Sequence, residues 1–225
     1  CSAFVGHRYV LHSRVSRTGA TDVARFSTID KTESVFDHAD DASNSTETSE
    51  RKERPRRKKG NSRFRQHVNP LSRRFQNPVE LIEGWPASIY SDMSRPLHLD
   101  IGCGKGGFLI DFATSQLQDT QQEVKKNYLG LEIRPGVAHY AQDRILKRPH
   151  LQGHLSFIGC NANVDLQRIL SLYMSGENGA ELGSVSIQFP DPHFKSQHVK
   201  RRVVNHDLVL TLAKFMKEDR TLFIQ

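Results

Sequence analysis

Leu97-His-Leu-Asp-Ile-Gly-Cys-Gly-Lys-Gly-Gly107 decides the architecture. Its first five residues are apolar except for His98 and Asp100, which predicts a strand over Leu97–Ile101. The strand runs directly into glycines, and a helix-like pattern follows from about Gly106 to Leu117. Outward from this unit the same alternation continues. Strands are predicted at Tyr128–Ile133, Leu155–Gly159, Val185–Phe189 and Thr221–Ile224. Helices are predicted at Gly136–Leu146, Val164–Tyr173 and Leu208–Met216. Strand–helix alternation at this spacing argues for an α/β fold with a doubly wound, mostly parallel sheet. No internal repeat of fixed period interrupts it.

The rest of the chain is different in kind. Only 36% of the 225 residues are hydrophobic, and the mean hydropathy is −0.56, low for a chain packed throughout. The net charge of +7 favours a polyanionic partner, and it is unevenly spread. Seven acids lie between Asp30 and Glu50 against the single base Lys31, whereas eleven bases lie between Arg51 and Gln76 against Glu53. Residues 1–60 therefore read as a disordered tail, 61–94 as a basic substrate-binding arm, and 95–225 as the folded domain. Within the tail, residues 1–29 are rich in Arg, Ser and Thr with Asp22 as their one acid; transit peptide and ordinary tail are both open readings. The run Arg51–Lys59 reads equally as a nuclear-type signal, a nucleic-acid arm or a solubilising stretch. Cys1, Cys103 and Cys160 form neither an even framework nor a CxxC pair, so no disulfide scaffold and no metal centre are expected. No apolar run reaches the ~18 residues needed to cross a bilayer. A first residue of Cys rather than Met predicts a trimmed chain or a fragment.

The glycine loop has two readings. Gly102, Gly104 and Gly107 satisfy GxGxxG, the spacing of dinucleotide sites. Gly102, Gly104 and Gly106 after Asp100 satisfy DxGxGxG, the form found in S-adenosylmethionine-dependent methyltransferases. Asp100 favours the second, because a buried carboxylate repels a pyrophosphate and suits a ligand carrying an ammonium and a sulfonium. Glu132, closing Tyr128-Leu-Gly-Leu-Glu132, is placed to accept hydrogen bonds from a ribose diol. Asn161, after the third predicted strand, is placed to meet an adenine edge, although Asn there also serves simply as a turn residue.

Val185-Ser-Ile-Gln-Phe-Pro-Asp-Pro-His-Phe-Lys195 follows the next strand. Prolines on both sides of Asp191 restrict the loop and aim its carboxylate into the cleft at little entropic cost. Lys195, Lys200, Arg201 and Arg202 make a rim suited to phosphates.

Three elements together, the glycine loop, Phe189-Pro-Asp-Pro-His-Phe-Lys195 with Lys200-Arg-Arg-Val203, and Arg65-Gln-His-Val-Asn-Pro-Leu71, resemble the tRNA (guanine-N7-)-methyltransferases, in their bacterial and plastid-like branch. The resemblance covers about residues 63–225. It implies a Rossmann-like S-adenosylmethionine-dependent methyltransferase fold and formation of N7-methylguanosine in the tRNA variable loop. It further implies that Asp100, Gly102, Gly104, Glu132, Arg134, Asn161 and Ala162 hold S-adenosyl-L-methionine. Asp191 would be the catalytic-site carboxylate, and Lys195, Lys200, Arg201, Arg65 and His67 would meet the substrate. Asn161 stands where bacterial members often have Asp. The family also continues past Gln225 with a Thr-Asp element and two more strands, so a C-terminally truncated domain is expected. Guanine N7 carries an in-plane lone pair, so the implied reaction is an in-line methyl displacement governed by positioning. The partner expected is tRNA, to a monomer or homodimer with a partner subunit open, and no membrane. An organelle is favoured, with nucleus or cytoplasm as the alternative. The competing readings are an amino-group methyltransferase acting on adenine, cytosine or a protein amide, since Asp191-Pro-His-Phe194 approaches an Asp-Pro-Pro-aromatic loop; a catalytically silent RNA-binding module; and a nicotinamide dehydrogenase.

Overall fold

The structure is a computed structural model describing residues 68–121, 124–176, 180–191 and 196–225, together with the backbone of a strand at His7–Val10. In chain order the strands are β1 (His7–Val10), β2 (Leu97–Ile101), β3 (Asn127–Glu132), β4 (Leu155–Gly159), β5 (Leu182–Ile187) and β6 (Met216–Ile224). The helices are α1 (Gly107–Gln118), α2 (Pro135–Leu146), α3 (Ala162–Met174) and α4 (His206–Phe215). The strands form one sheet in the order β1-β6-β5-β2-β3-β4, in which β6 to β4 are parallel and β1 is antiparallel to β6. This is the doubly wound, mostly parallel sheet that the alternation predicts.

Burial explains the strand composition. Every residue of β2 and β3 is buried, as a strand covered by helices on both faces must be. Leu109, Ile110 and Ala113 of α1 join Ala141 and Ile145 of α2 against Tyr128, Leu155 and Phe157. On the opposite face Leu166, Ile169 and Leu170 of α3 and Leu208 and Leu212 of α4 pack with Leu99, Leu131, Val185 and Leu222. Burying one such Leu or Ile contributes about 1.5–3 kcal/mol, so each helix is held mainly by its apolar stripe.

Most boundaries fall within two residues of the sequence reading, and two strands start earlier than that. The strand predicted at Val185–Phe189 is found at Leu182–Ile187, because Phe189 leaves extended backbone with φ 48°. The last strand starts at Met216, directly after α4, and its register against β5 is irregular between Leu182 and Ser184. The polar run Lys217-Glu-Asp-Arg220 in that irregularity masks the strand from a pattern search. Strand β1, within the stretch assigned to a tail, has no counterpart among the predicted elements.

Candidate active site

Sheet order places the glycine loop at the point where the chain reverses its winding direction: β3 and β4 lie to one side of β2, β5 and β6 to the other. In open α/β sheets the crevice at that reversal is where ligands bind. Gly104 and Gly106 both adopt left-handed backbone, with φ of 56° and 69°. A Cβ on Gly106 would lie 2.4 Å from the Phe157 ring, whereas one on Gly102 or Gly104 would meet nothing within 4 Å. The loop thus packs tightly beneath and leaves its upper backbone open. Gly102 N–H donates to the Leu131 carbonyl at 2.8 Å, fastening the loop to β3.

Glu132 completes that fastening. Its Oε2 accepts from Gly104 N–H at 3.0 Å, and its Oε1 accepts from Arg134 N–H at 3.0 Å and Arg134 Nε at 2.7 Å. Arg134 Nη2 donates to Oε2 at 3.2 Å. Those four bonds use the full acceptor capacity of a carboxylate.

Asp100 is 2% exposed, and burial pushes its carboxyl up to about 6, opposed by the hydrogen bond from Ser186. Ser186 Oγ donates to Asp100 Oδ1 at 2.7 Å and also meets His98 Nε2 at 3.2 Å. His98 Nδ1 lies 2.7 Å from Ser184 Oγ, and Lys126 Nζ donates to that same oxygen at 3.3 Å. Burial holds the His98 imidazole down to about 3, with Lys126 adding to the effect. The sheet register dictates these contacts, pairing His98 with Ser184 and Asp100 with Ser186 across β2 and β5.

Asn161 has a structural task. It is the N-cap of α3, its Oδ1 accepting from Asn163 N–H at 3.1 Å. Its Nδ2 donates to the carbonyls of Phe75 at 3.1 Å and Pro70 at 3.4 Å. One turn on, buried Asp165 accepts from Val79 N–H at 3.1 Å, and Arg168 Nη2 donates to Asp165 at 2.7 Å and to the Val79 carbonyl at 2.6 Å. Residues 70–79, the middle of the predicted arm at 61–94, are therefore laced onto α3. Ala162 is the first residue of that helix and is buried.

Asp191 is half-buried beyond the end of β5. Just before it, Phe189 precedes a proline, a context that disfavours helical backbone, and yet it takes a left-handed φ of 48° in a residue that is 73% exposed. Its N–H donates to the Gln225 carbonyl at 2.9 Å, while Gln225 N–H donates to Ile187 at 3.1 Å, so β6 holds this conformation in place. Lys200 is exposed and Arg201 half-buried in a 3₁₀ turn at Ser196–Arg201. Lys195, Arg65 and His67 lie outside the described residues. Sequence reasoning missed Ser184, Ser186, His98, Asp165 and Arg168. The signal for the first three was visible as polar residues two apart, His98 with Asp100 and Ser184 with Ser186, in otherwise apolar strands.

A family profile described as "Putative methyltransferase" matches residues 94–225. A tRNA (guanine-N(7)-)-methyltransferase of Synechococcus elongatus is 43% identical over 165 residues, which is 72% of this chain and 70% of that protein. The chain belongs to the tRNA (guanine-N7-)-methyltransferase family. The protein of that name from Synechococcus sp. strain CC9311 is likewise 43% identical, over 72% of this chain and 62% of its own length; that from Prochlorococcus marinus strain MIT 9303 is 45% identical over 72% and 62%. The chain thus spans about two thirds of the length of these cyanobacterial relatives. Among solved structures, PKMT2 from Rickettsia typhi matches 61% of this chain and 22% of its own at 17% identity, with a TM-score of 0.39.

The methyl donor of the family is S-adenosyl-L-methionine, and the residues present fit it. Open space above Gly102 and Gly104 leaves backbone accessible to a ligand. Beside it stands a buried carboxylate, Asp100, whose raised pKa marks a charge that gains by meeting a cation. Among the described residues no cluster of His, Cys, Asp and Glu is arranged to hold a metal ion, and no helix is long and apolar enough to cross a membrane.

Proposed function

We propose that this protein forms N7-methylguanosine in the variable loop of tRNA. The observation that carries the reading is the Asp100–glycine loop–Glu132 arrangement at the sheet's reversal point in a chain of this family. S-adenosylmethionine supplies an electrophilic methyl group on a sulfonium. Asp100 takes up its cationic end, the backbone of Gly102 and Gly104 lies against it, and Glu132 receives the ribose diol in the positions now held by the Arg134 guanidinium. With the Asn161 side chain engaged in capping and in holding residues 70–75, the adenine is met by the main chain at 161–162, where the first N–H groups of α3 lack intrahelical acceptors.

Asp191 orients the guanine through its N–H edge and offsets the positive charge that develops on the imidazole ring as N7 is methylated. No base is required, since N7 is already unprotonated. Lys195, Lys200, Arg201, Arg65 and His67 dock phosphates and fix register. Cyanobacterial relatives and an acid-poor N-terminal stretch support an organelle as the site of action, which import of a fluorescent fusion into isolated plastids would test.

The test is incubation of the chain with labelled S-adenosylmethionine and unmodified tRNA, followed by mapping of the label. Label at guanine N7 in the variable loop is expected, and label on an exocyclic amine would overturn the reading. Asp191→Ala should lower turnover by 10² or more, the scale of losing one group that stabilises developing charge, while calorimetric cofactor affinity stays within about twofold. Wild-type turnover in that variant would remove Asp191 from the assignment.

A further inference from the structure

The hydrogen bonds behind Asp100 have a defined direction. Ser186 has one hydroxyl proton, and it is donated to Asp100 Oδ1. Its contact with His98 Nε2 at 3.2 Å must then be accepted from an Nε2–H. A neutral imidazole protonated at Nε2 is an acceptor at Nδ1, so Ser184 Oγ donates there at 2.7 Å and in turn accepts from Lys126 Nζ. The result is a one-way chain, Lys126 to Ser184 to His98 to Ser186 to Asp100, in which every link points its proton toward the carboxylate.

We propose that His98 and Ser186 are positioning residues for the cofactor: the chain of donors ending on Oδ1 holds Asp100 ionised and oriented toward the ligand's cationic end. The proposal rests on the assignment of Asp100 to the cofactor site. Chains of this kind polarise one another in a low-dielectric interior, and a hydrogen bond to the charged form of a carboxyl favours that form. Burial alone would carry Asp100 toward neutrality; the Ser186 bond acts the other way. His98 serves as a neutral link because burial and Lys126 both disfavour its protonation. It is enclosed by Phe112 of α1 and Tyr128 of β3, with ring centroids 4.9 and 5.9 Å away. The other titratable groups near Asp100 are the Cys103 thiol, held protonated by burial first and then by the charges of Asp100 and Glu132, and Glu132 itself. The facing strand β5 contributes only serine hydroxyls.

The experiment is calorimetric binding to the full chain between pH 5 and 8, with three probes: S-adenosylmethionine, which carries ammonium and sulfonium; S-adenosylhomocysteine, which carries only the ammonium; and 5′-methylthioadenosine, which carries neither. The wild-type protein should bind the two cationic ligands more weakly as pH falls through about 6, the pKa of Asp100. Ser186→Ala should move that midpoint up by roughly 0.5–1 pH unit, the scale of one lost hydrogen bond, and so weaken both cationic ligands by about two- to fivefold at pH 6 and by less than about twofold at pH 7, leaving methylthioadenosine unchanged. Ser186→Thr keeps the hydroxyl and should restore wild-type behaviour. His98→Phe, one link farther away, should move the midpoint in the same direction by less. Equal weakening of all three ligands would mean a merely structural serine, and an unmoved midpoint in Ser186→Ala would overturn the proposal. Failure of the underlying reading is separately visible: Asp100→Asn would then bind S-adenosylmethionine as tightly as wild type.

Discussion

Asp100 and His98 affect stability in opposite senses. The folded-state pKa of Asp100, about 6, lies above its ordinary value of 3.8, so the native state binds the extra proton and stability falls as pH rises through that window. His98 is held at about 3 against an ordinary 6.5, so the unfolded state binds the extra proton and stability falls as pH drops below 6.5. Between pH 4 and 6 the two slopes largely cancel. Asp100→Asn, which still accepts from Ser186, should unmask the histidine: denaturant titrations should show stability falling by about 1.4 kcal/mol per pH unit on acidification below 6.5, where wild type stays nearly flat. Phe189 gives a second residue-scale prediction. A left-handed non-glycine residue costs on the order of 1–3 kcal/mol, and a residue so exposed recovers little of that by burial. Phe189→Gly should therefore raise thermal stability by about 1 kcal/mol; a lower melting temperature would show that the ring or backbone is in fact well accommodated.

At the scale of elements, α3 is both a wall of the core and the anchor for residues 70–79. Its apolar stripe was legible in the sequence, and the predicted helix over Val164–Tyr173 lies inside the observed Ala162–Met174. The anchoring was not legible, because Asn161, Asp165 and Arg168 bond to carbonyls and an N–H more than eighty residues earlier. Asn161→Asp separates the two tasks. An aspartate keeps the cap and complements the helix dipole, yet it loses both donors to Phe75 and Pro70. Hydrogen exchange should show faster exchange confined to residues 70–79, with α3 unchanged and a stability loss of about 1–2 kcal/mol. Protection unchanged over 70–79 would show that the Asp165 and Arg168 contacts hold the segment alone.

For the whole molecule, the distribution of charge matters more than its sum. Arg73 and Arg74 lie in the segment anchored to α3, with Lys200, Arg201 and Arg202 beyond the end of β5. If these side chains meet phosphates, the logarithm of tRNA affinity should fall linearly with that of salt concentration, about 10²-fold or more between 50 and 200 mM for four or five contacts. A flat dependence in filter binding would exclude them as the docking surface.

What the sequence determined by itself is local and periodic: the strand–glycine–helix unit at Leu97–Gly107, the alternation giving a parallel sheet, and residues such as Asp100, Glu132 and Asp191 at strand ends. In a parallel sheet such positions fall at the carboxyl ends of the strands, where the ligand crevice opens. The tertiary structure alone decided their partners. Strand register set His98 opposite Ser184 and Asp100 opposite Ser186, and packing of residues 70–79 on α3 turned Asn161 from an open amide into a cap and a strap. Hydrogen bonds between distant segments depend on which strands become neighbours, and no periodicity within one segment encodes that.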